Sequence, residues 1–337
     1  MLFYKELDKI VFSRNKRFKF DELLIISGYV GPTPVHELSK LPIKTTVIYG
    51  MYAANSINST LHKALLEEKR QNNNLNIFYS SIPVHAKCYI WKHNGSIVAA
   101  LIGSANFSTS GLTNPFKEVL AETTKDTFLA LEKYSEEVLK NSIDCEKASC
   151  KVKKSKKKAI NTERKYTPDV CSLPLYVMNK NGRKEIPEKS GINWGQAMKT
   201  GSHVNISDAY IKISTENLEH YPQMFPAKSK SPLNIENISR KNHRHNDNIE
   251  IIWDDGTKMT GLLEGTVEKK EDGKTVLYPK QISSTPQKRI LGEYIRKRLG
   301  VEKDAPITMK DLDEYGRSSI DVSLLGEGIY YFDFSIK

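Results

Sequence analysis

Apolar positions along this chain fall into two regimes. In the first 145 residues they come as unbroken runs set between amphipathic stretches. Glu22–Val30 (ELLIISGYV) reads as a buried strand closed by Gly31-Pro32, and Thr45–Gly50 (TTVIYG) as a second. Ile57, Leu61, Ala64 and Leu65 then recur at helical spacing, with Ser56 as the expected cap. Asn76–Tyr79, His85–Trp91 and Ser96–Ile102 predict three more strands, the last two joined through His93-Asn94-Gly95. Phe116–Glu122 reads as extended. Phe128, Leu131 and Val138 mark one face of a helix over Asp126–Lys140. Strands alternating with helices predict an α/β layered domain.

Beyond residue 168 the runs shorten and lose their helical partners. Leu173–Met178, Ala209–Ile213, Ile249–Trp253, Lys258–Leu262, Thr275–Tyr278, Ile320–Leu324 and Ile329–Phe334 read as strands. Turn signals at Asn181-Gly182, Asp254-Asp255-Gly256 and Asp272-Gly273 separate several of them. One helix is expected near Lys288–Leu299, with Leu291, Ile295 and Leu299 on a face, and a shorter one from Thr308 or Lys310 to just before Gly316. This half predicts a mostly-β domain, a small open barrel.

Composition sets the class without choosing a function. The chain has 337 residues, 39% hydrophobic and 27% charged, which fits two folded domains and excludes wholesale disorder. No apolar run approaches the length of a membrane helix. The N-terminal residues carry both charge signs and no apolar core, so no signal peptide is expected and a cytoplasmic location is. The net charge of +11 suggests an acidic partner. Its distribution changes that picture. Residues 1–150 carry 18 basic and 15 acidic side chains, and residues 166–337 carry 25 and 24. The window KVKKSKKKAINTERK, residues 151–165, carries 8 and 1. Such a block self-repels and reads as an exposed tether, adding at most a salt-sensitive, non-specific attraction to phosphates. The expected domains are therefore 1–145 and 168–337, joined by a basic linker at 146–167.

Cys88, Cys145, Cys150 and Cys171 match no zinc spacing and read as unpaired thiols. His243 and His245 have no Cys or His pair at ligand spacing and read as part of a polar loop.

The candidate chemistry lies in Val84–Leu112, VHAKCYIWKHNGSIVAALIGSANFSTSGL. On a strand, His85 and Lys87 point to one face. If His85–Trp91 and Ser96–Ile102 pair as a hairpin, the Ser104/Asn106 turn returns beside them. Phosphodiester attack needs those group types together: a nucleophile or general acid, and fixed donors for the non-bridging oxygens. On spacing alone a strand His and Lys are most often ordinary surface residues.

HAK, followed eighteen residues after its histidine by GSANFS, resembles the HxK…GSxN signature of the phospholipase D superfamily. The resemblance implies that His85 forms a covalent phosphohistidine, or serves as leaving-group acid when supplied by a partner subunit, with no metal required. It assigns Lys87 and Asn106 to the phosphate oxygens, Ser104 to assist, and Glu118 to orient the histidine. Lys92 stands where the family usually has an aspartate, a departure shared by some restriction-enzyme members. One motif supplies one histidine, so the resemblance implies a homodimer through the N-terminal domain, with one site shared by two subunits. Two-motif phosphatidyl-transferring enzymes fit poorly.

SGINWGQ (190–196), DAYIKI (208–213), WDDGTKM (253–259), ILGEYIRKRLGV (290–301), DLDEYGR (311–317) and YYFDFS (330–335) resemble restriction endonucleases of the NgoFVII type. In these a phospholipase-D-like nuclease domain precedes a B3-like DNA-recognition pseudobarrel. The resemblance implies sequence-specific cleavage of double-stranded DNA, with Asn193, Trp194, Gln196, Lys199, Thr257, Lys258 and Thr260 as candidate contacts on two loops that enter the major groove. Arg317 reads either as a DNA contact or as a buried pair with Asp311 or Asp313. Some members act with an ATP-driven helicase-like subunit. This chain has no GxxxxGKS/T phosphate loop, so ATP would enter only through such a partner. The competing reading is a DNA-binding regulator with an inactive nuclease fold.

Overall fold

The apolar runs of the first half pair into one eight-stranded sheet. The computed structural model describes residues 1–14, 19–148, 152–153, 169–201, 203–228, 246–271 and 273–336. They divide into two compact units, Met1–Ala159 with Leu325–Ile329, and Ile160–Leu324 with Tyr330–Lys337. Most of the expected linker, together with Cys150, His243 and His245, falls outside the described residues.

In the first unit the strands are β1 (Leu2–Phe3), β2 (Glu22–Ser27), β3 (Lys44–Tyr49), β4 (Leu75–Ser80), β5 (Lys87–His93), β6 (Ser96–Gly103), β7 (Leu120–Glu122) and β8 (Ser142–Asp144). They lie in the order β1-β7-β6-β5-β2-β3-β4-β8. β2, β3 and β4 run parallel, while β5 lies antiparallel to both β2 and β6. The parallel centre explains the unbroken apolar runs, because both faces of those strands are covered. Leu24, Ile26, Ile48, Ile90 and Ala100 pack on one face with Val138, Phe128 and Leu131 of a helix at Phe128–Lys140. Leu23, Ile25, Tyr79 and Tyr89 are buried on the other face, and there His62 of the helix Ser59–Gln71 hydrogen-bonds the Tyr79 hydroxyl at 3.0 Å.

Two local expectations are corrected. Asn58, not Ser56, caps the Ser59–Gln71 helix, its Oδ1 accepting from Thr60 N at 2.8 Å. Ser56 instead sits at φ +58°, before two extended residues. The expected strand at Phe116–Glu122 begins only at Leu120, because Phe116 takes the left-handed conformation at φ +64°.

A seven-stranded sheet is built from β9 (Cys171–Pro174), β10 (Ile211–Lys212), β11 (Asp247–Trp253), β12 (Lys258–Glu264), β13 (Gln281–Ser284), β14 (Ser319–Gly326) and β15 (Ile329–Asp333), all in the second unit except Leu325–Ile329 of the β14–β15 hairpin. Their order is β9-β14-β15-β11-β12-β13-β10. The terminal strands β9 and β10 approach each other, so the sheet curls almost to closure. The helices Arg289–Leu299 and Met309–Tyr315 complete its core through Leu291, Ile295 and Leu312. This is a mostly-β open pseudobarrel following an α/β domain.

The three basic residues in RKR separate as helical geometry requires. Arg296 is fully buried, and its guanidinium donates to the carbonyls of Ala305 (2.8 Å) and Gly292 (3.1 Å). Arg298 grips Asp254 with both terminal nitrogens, at 3.0 and 2.9 Å. Arg317 pairs with Asp321 and Asp333, not with Asp311 or Asp313. Asp311 is occupied as the capping partner of Thr308.

Candidate active site

Strand direction assembles the polar cluster. In the antiparallel pairing Ser27 lies opposite Lys87 and Cys88 opposite Ile102, so the end of β2, the start of β5 and the end of β6 meet at one edge of the sheet. His85 lies two residues before β5 rather than on it, and is exposed. Lys87 is 5% exposed. Its Nζ sits 3.0 Å from His85 Nδ1 and 3.2 Å from Nε2, and donates to the His85 carbonyl at 2.6 Å. An ammonium can only donate, so any hydrogen bond to the ring uses an imidazole lone pair.

The turn after β6 brings in the other groups. Asn106 is 5% exposed. Its Oδ1 accepts from Tyr29 N (3.1 Å) and lies 3.4 Å from the Ser27 hydroxyl, while its Nδ2 donates to Glu327 Oε2 at 3.2 Å. Ser104 Oγ accepts from Val119 N at 3.1 Å and also hydrogen-bonds the Glu118 carboxylate. Thus His85, Lys87 and Asn106 converge, and Ser104 and Glu118 form a bonded pair whose charge is felt at Lys87. Within one chain the described hydrogen bond of Glu118 goes to Ser104, not to the His85 ring.

The electrostatics suit an anion. Burial pushes the Lys87 ammonium below its usual range, against the opposing pull of Glu118 and Glu327. Burial likewise raises the Glu118 carboxyl, as does Glu327, while the Ser104 hydrogen bond and Lys87 pull it down. Among the described residues no group of three or more His, Cys, Asp or Glu side chains could hold a metal ion.

Several contributors escaped sequence reading. Ser27, Gly28 and Tyr29 were absorbed into an apolar run, though the small Ser-Gly pair interrupting ELLIISGYV is the signal of a close approach. The Tyr29 ring meets His85 edge to face, with centroids 6.1 Å apart, and its hydroxyl accepts from Asn55 at 2.8 Å. Glu327 carries no sequence signal at all. Gly111 has one only in retrospect: a Cβ there would stand 2.3 Å from the Asn106 carbonyl. Gly111→Ala should therefore force the Asn106 turn to shift, destabilising the first domain by about 1–3 kcal/mol in a thermal melt. An unchanged melting temperature would contradict this packing argument.

In the pseudobarrel the candidate DNA contacts divide. Trp194 and Lys199 lie in a 3-10 run at Gly191–Thr200. Lys199 is exposed, whereas the half-buried Trp194 packs on Tyr210 with Lys288 Nζ 4.7 Å over its ring. Thr257 is exposed at the β11–β12 turn, and Lys258 and Thr260 follow on β12. Asn193 and Gln196 depart from expectation. Asn193 exchanges two 2.8 Å hydrogen bonds with the backbone of Ile307. Gln196 donates to the carbonyls of Ile206 and Asp304. Both side chains are buried and engage backbone inside the domain, because a 3-10 run packed against an irregular segment leaves backbone groups that need partners.

Similarity to known proteins follows this division. Residues 5–152 match the NgoFVII restriction endonuclease N-terminal PLD domain, and residues 165–325 match the NgoFVII C-terminal B3-like DNA-binding domain. No curated protein matches the chain. Among solved structures, NucT from Helicobacter pylori is 19% identical, covering 43% of this chain and 97% of its own, with a TM-score of 0.32. Nuc from Salmonella typhimurium, a phospholipase D family member, is 15% identical, covering 40% of this chain and 88% of its own, with a TM-score of 0.29. A polyphosphate kinase from Porphyromonas gingivalis is 13% identical over 40% of this chain and 20% of its own, with a TM-score of 0.26. The two family models, which between them span nearly the whole sequence in the right order, make the assignment: the chain belongs to the NgoFVII restriction endonuclease family, a phospholipase-D-like nuclease domain followed by a B3-like DNA-binding domain.

Proposed function

We propose that the protein is a type II-like restriction endonuclease, cleaving double-stranded DNA at a specific sequence through His85 without a metal ion. The observation that carries this reading is the convergence of His85, Lys87 and Asn106 at one sheet edge. A His85 ring nitrogen attacks phosphorus, forming a P–N bond as the P–O bond to the leaving nucleoside breaks. The leaving oxygen takes its proton from a second histidine, His85 of a second copy in a symmetric dimer. Water then attacks the phosphohistidine, giving up a proton to that histidine and releasing a 5′- or 3′-phosphate. Lys87 and Asn106 hold the non-bridging oxygens as charge accumulates on them. The pseudobarrel supplies sequence choice through Trp194, Lys199, Thr257, Lys258 and Thr260, with backbone phosphate contacts setting register.

Plasmid DNA incubated with the purified protein in excess EDTA tests this, beside a His85→Ala control. Discrete fragments from the wild type and none from the variant are expected. Cleavage that EDTA abolishes and added magnesium restores would sink the metal-independent step. If the isolated chain is inert, the same assay with a candidate helicase-like ATPase subunit and ATP decides whether a motor subunit licenses cleavage.

A pH prediction arises from the same cluster. Glu118 helps to keep Lys87 protonated, so Glu118→Gln lets the Lys87 pKa fall further. The alkaline limb of the rate profile should then move to lower pH. A limb that stays in place would show that Lys87 does not set it.

A further inference from the structure

We propose that the Ser27-Gly28-Tyr29 turn is a positioning element of the active site, with Ser27 acting on the scissile phosphate through Asn106; this deepens the nuclease reading above and rests on it. The argument begins with the Asn106 carboxamide, whose two ends are chemically opposite. The Tyr29 N–H lies 3.1 Å from one end and can only donate, so that end is the carbonyl oxygen. The Ser27 hydroxyl accepts from Phe107 N at 2.8 Å, which leaves its own hydrogen to give. It gives that hydrogen to the Tyr29 carbonyl at 2.6 Å, with Asn106 Oδ1 at 3.4 Å. Flipping the amide would set an NH2 group against the Tyr29 N–H. The donor Nδ2 is therefore held outward before substrate arrives, and in this structure it meets an anionic oxygen, Glu327 Oε2, at 3.2 Å.

Ser27 is fully buried and touches no position open to substrate, so its effect must travel through what it holds. It staples the end of β2 to the catalytic turn, alongside the Gly31 N to Phe107 carbonyl bond at 2.9 Å. Gly28 forms the floor. A Cβ there would lie 3.1 Å from His85 Cδ2, 3.3 Å from Lys87 Nζ and 3.4 Å from Asn106 Oδ1. One missing methyl thus makes room for three groups at once.

The test is a double-mutant cycle between Ser27→Ala and Asn106→Ala, read by cleavage in EDTA and by the Asn106 side-chain amide resonances in nitrogen-15 NMR. Ser27→Ala should lower kcat by about 10- to 100-fold, the scale of a misplaced transition-state contact. In the Asn106→Ala background it should cost less than about twofold, because coupled residues do not add. The Asn106 amide pair should shift in Ser27→Ala while backbone resonances across the sheet hold. Losses that multiply in full, or Asn106 amide signals that do not move, would overturn the proposal. Gly28→Ala gives a second arm, expected to disturb the His85 and Asn106 signals together; disturbance of neither counts against it. A wild type that cleaves no DNA, alone or with an ATPase subunit, would retire the nuclease reading and with it any role at a scissile phosphate, while Asn106 signals moved by Ser27→Ala would still establish that Ser27 sets that amide.

Discussion

His85→Ala should abolish DNA cleavage, with a loss of at least about 10,000-fold, the scale expected when a covalent nucleophile is removed. The size follows from what the ring does. In the proposed mechanism it opens the two-step route as nucleophile and, from the second copy, protonates the leaving oxygen as acid. One substitution in the proposed symmetric dimer removes both roles. DNA affinity should hardly change, since candidate DNA contacts of the pseudobarrel remain intact. A gel-shift titration beside the cleavage assay separates the two quantities. Lys87→Ala should fall short of this loss, because it removes a phosphate donor and leaves the bond-forming atom. A variant lacking His85 that still cleaves would remove it from the mechanism.

Arg298→Ala should destabilise the second unit by about 2–4 kcal/mol, somewhat below the cost of stranding one member of a fully buried ion pair, because this pair is part-buried. Arg298 and Asp254 form a two-pronged pair whose side chains are 16% and 10% exposed. The same guanidinium donates to the Tyr294 and Tyr315 hydroxyls, at 2.7 and 2.9 Å, and to the Phe334 carbonyl at 3.2 Å. It therefore ties the Arg289–Leu299 helix, the β11–β12 turn and the C-terminal segment to one point. Truncation leaves the part-buried Asp254 carboxylate without its cation, held by the Phe334 N–H at 2.9 Å. Urea or thermal unfolding of the full chain measures the loss, and Asp254→Asn in the Arg298→Leu background should recover part of it. Arg298→Lys should recover less, because an ammonium cannot reproduce a planar fork. DNA affinity should fall as well, since Thr257 and Lys258 leave the same turn.

The two halves were legible to different depths. In the first, period and run length located most core strands, because a sheet covered on both faces writes itself as continuous apolar sequence. The antiparallel return of β5 and β6 was also visible, from Asn94-Gly95, and with it the meeting of His85, Lys87 and Asn106. What stayed hidden depended on tertiary approach. Tyr29 N holds the Asn106 amide across 77 residues and Ser27 holds the next backbone N–H, of Phe107, across 80, distances no local pattern records. Asn193 and Gln196 show a second limit of local pattern. Amide side chains in a basic, aromatic loop resemble base readers, yet here they satisfy backbone groups of segment 304–307. Arg317 similarly found Asp321 and Asp333 instead of its sequence neighbours in DLDEYGR, because strand pairing outranks sequence proximity. The net charge of +11 proved a poor guide, since the HAK and GSANFS groups sit in a nearly neutral domain.

The stereochemical course at phosphorus tests the central claim most directly. A duplex carrying a single phosphorothioate of known chirality at the scissile bond is cleaved in oxygen-18 water, and the product configuration is determined. Two successive in-line displacements, first by His85 and then by water, predict overall retention. Inversion would mean that water attacks the DNA phosphorus directly, and would contradict the phosphohistidine account.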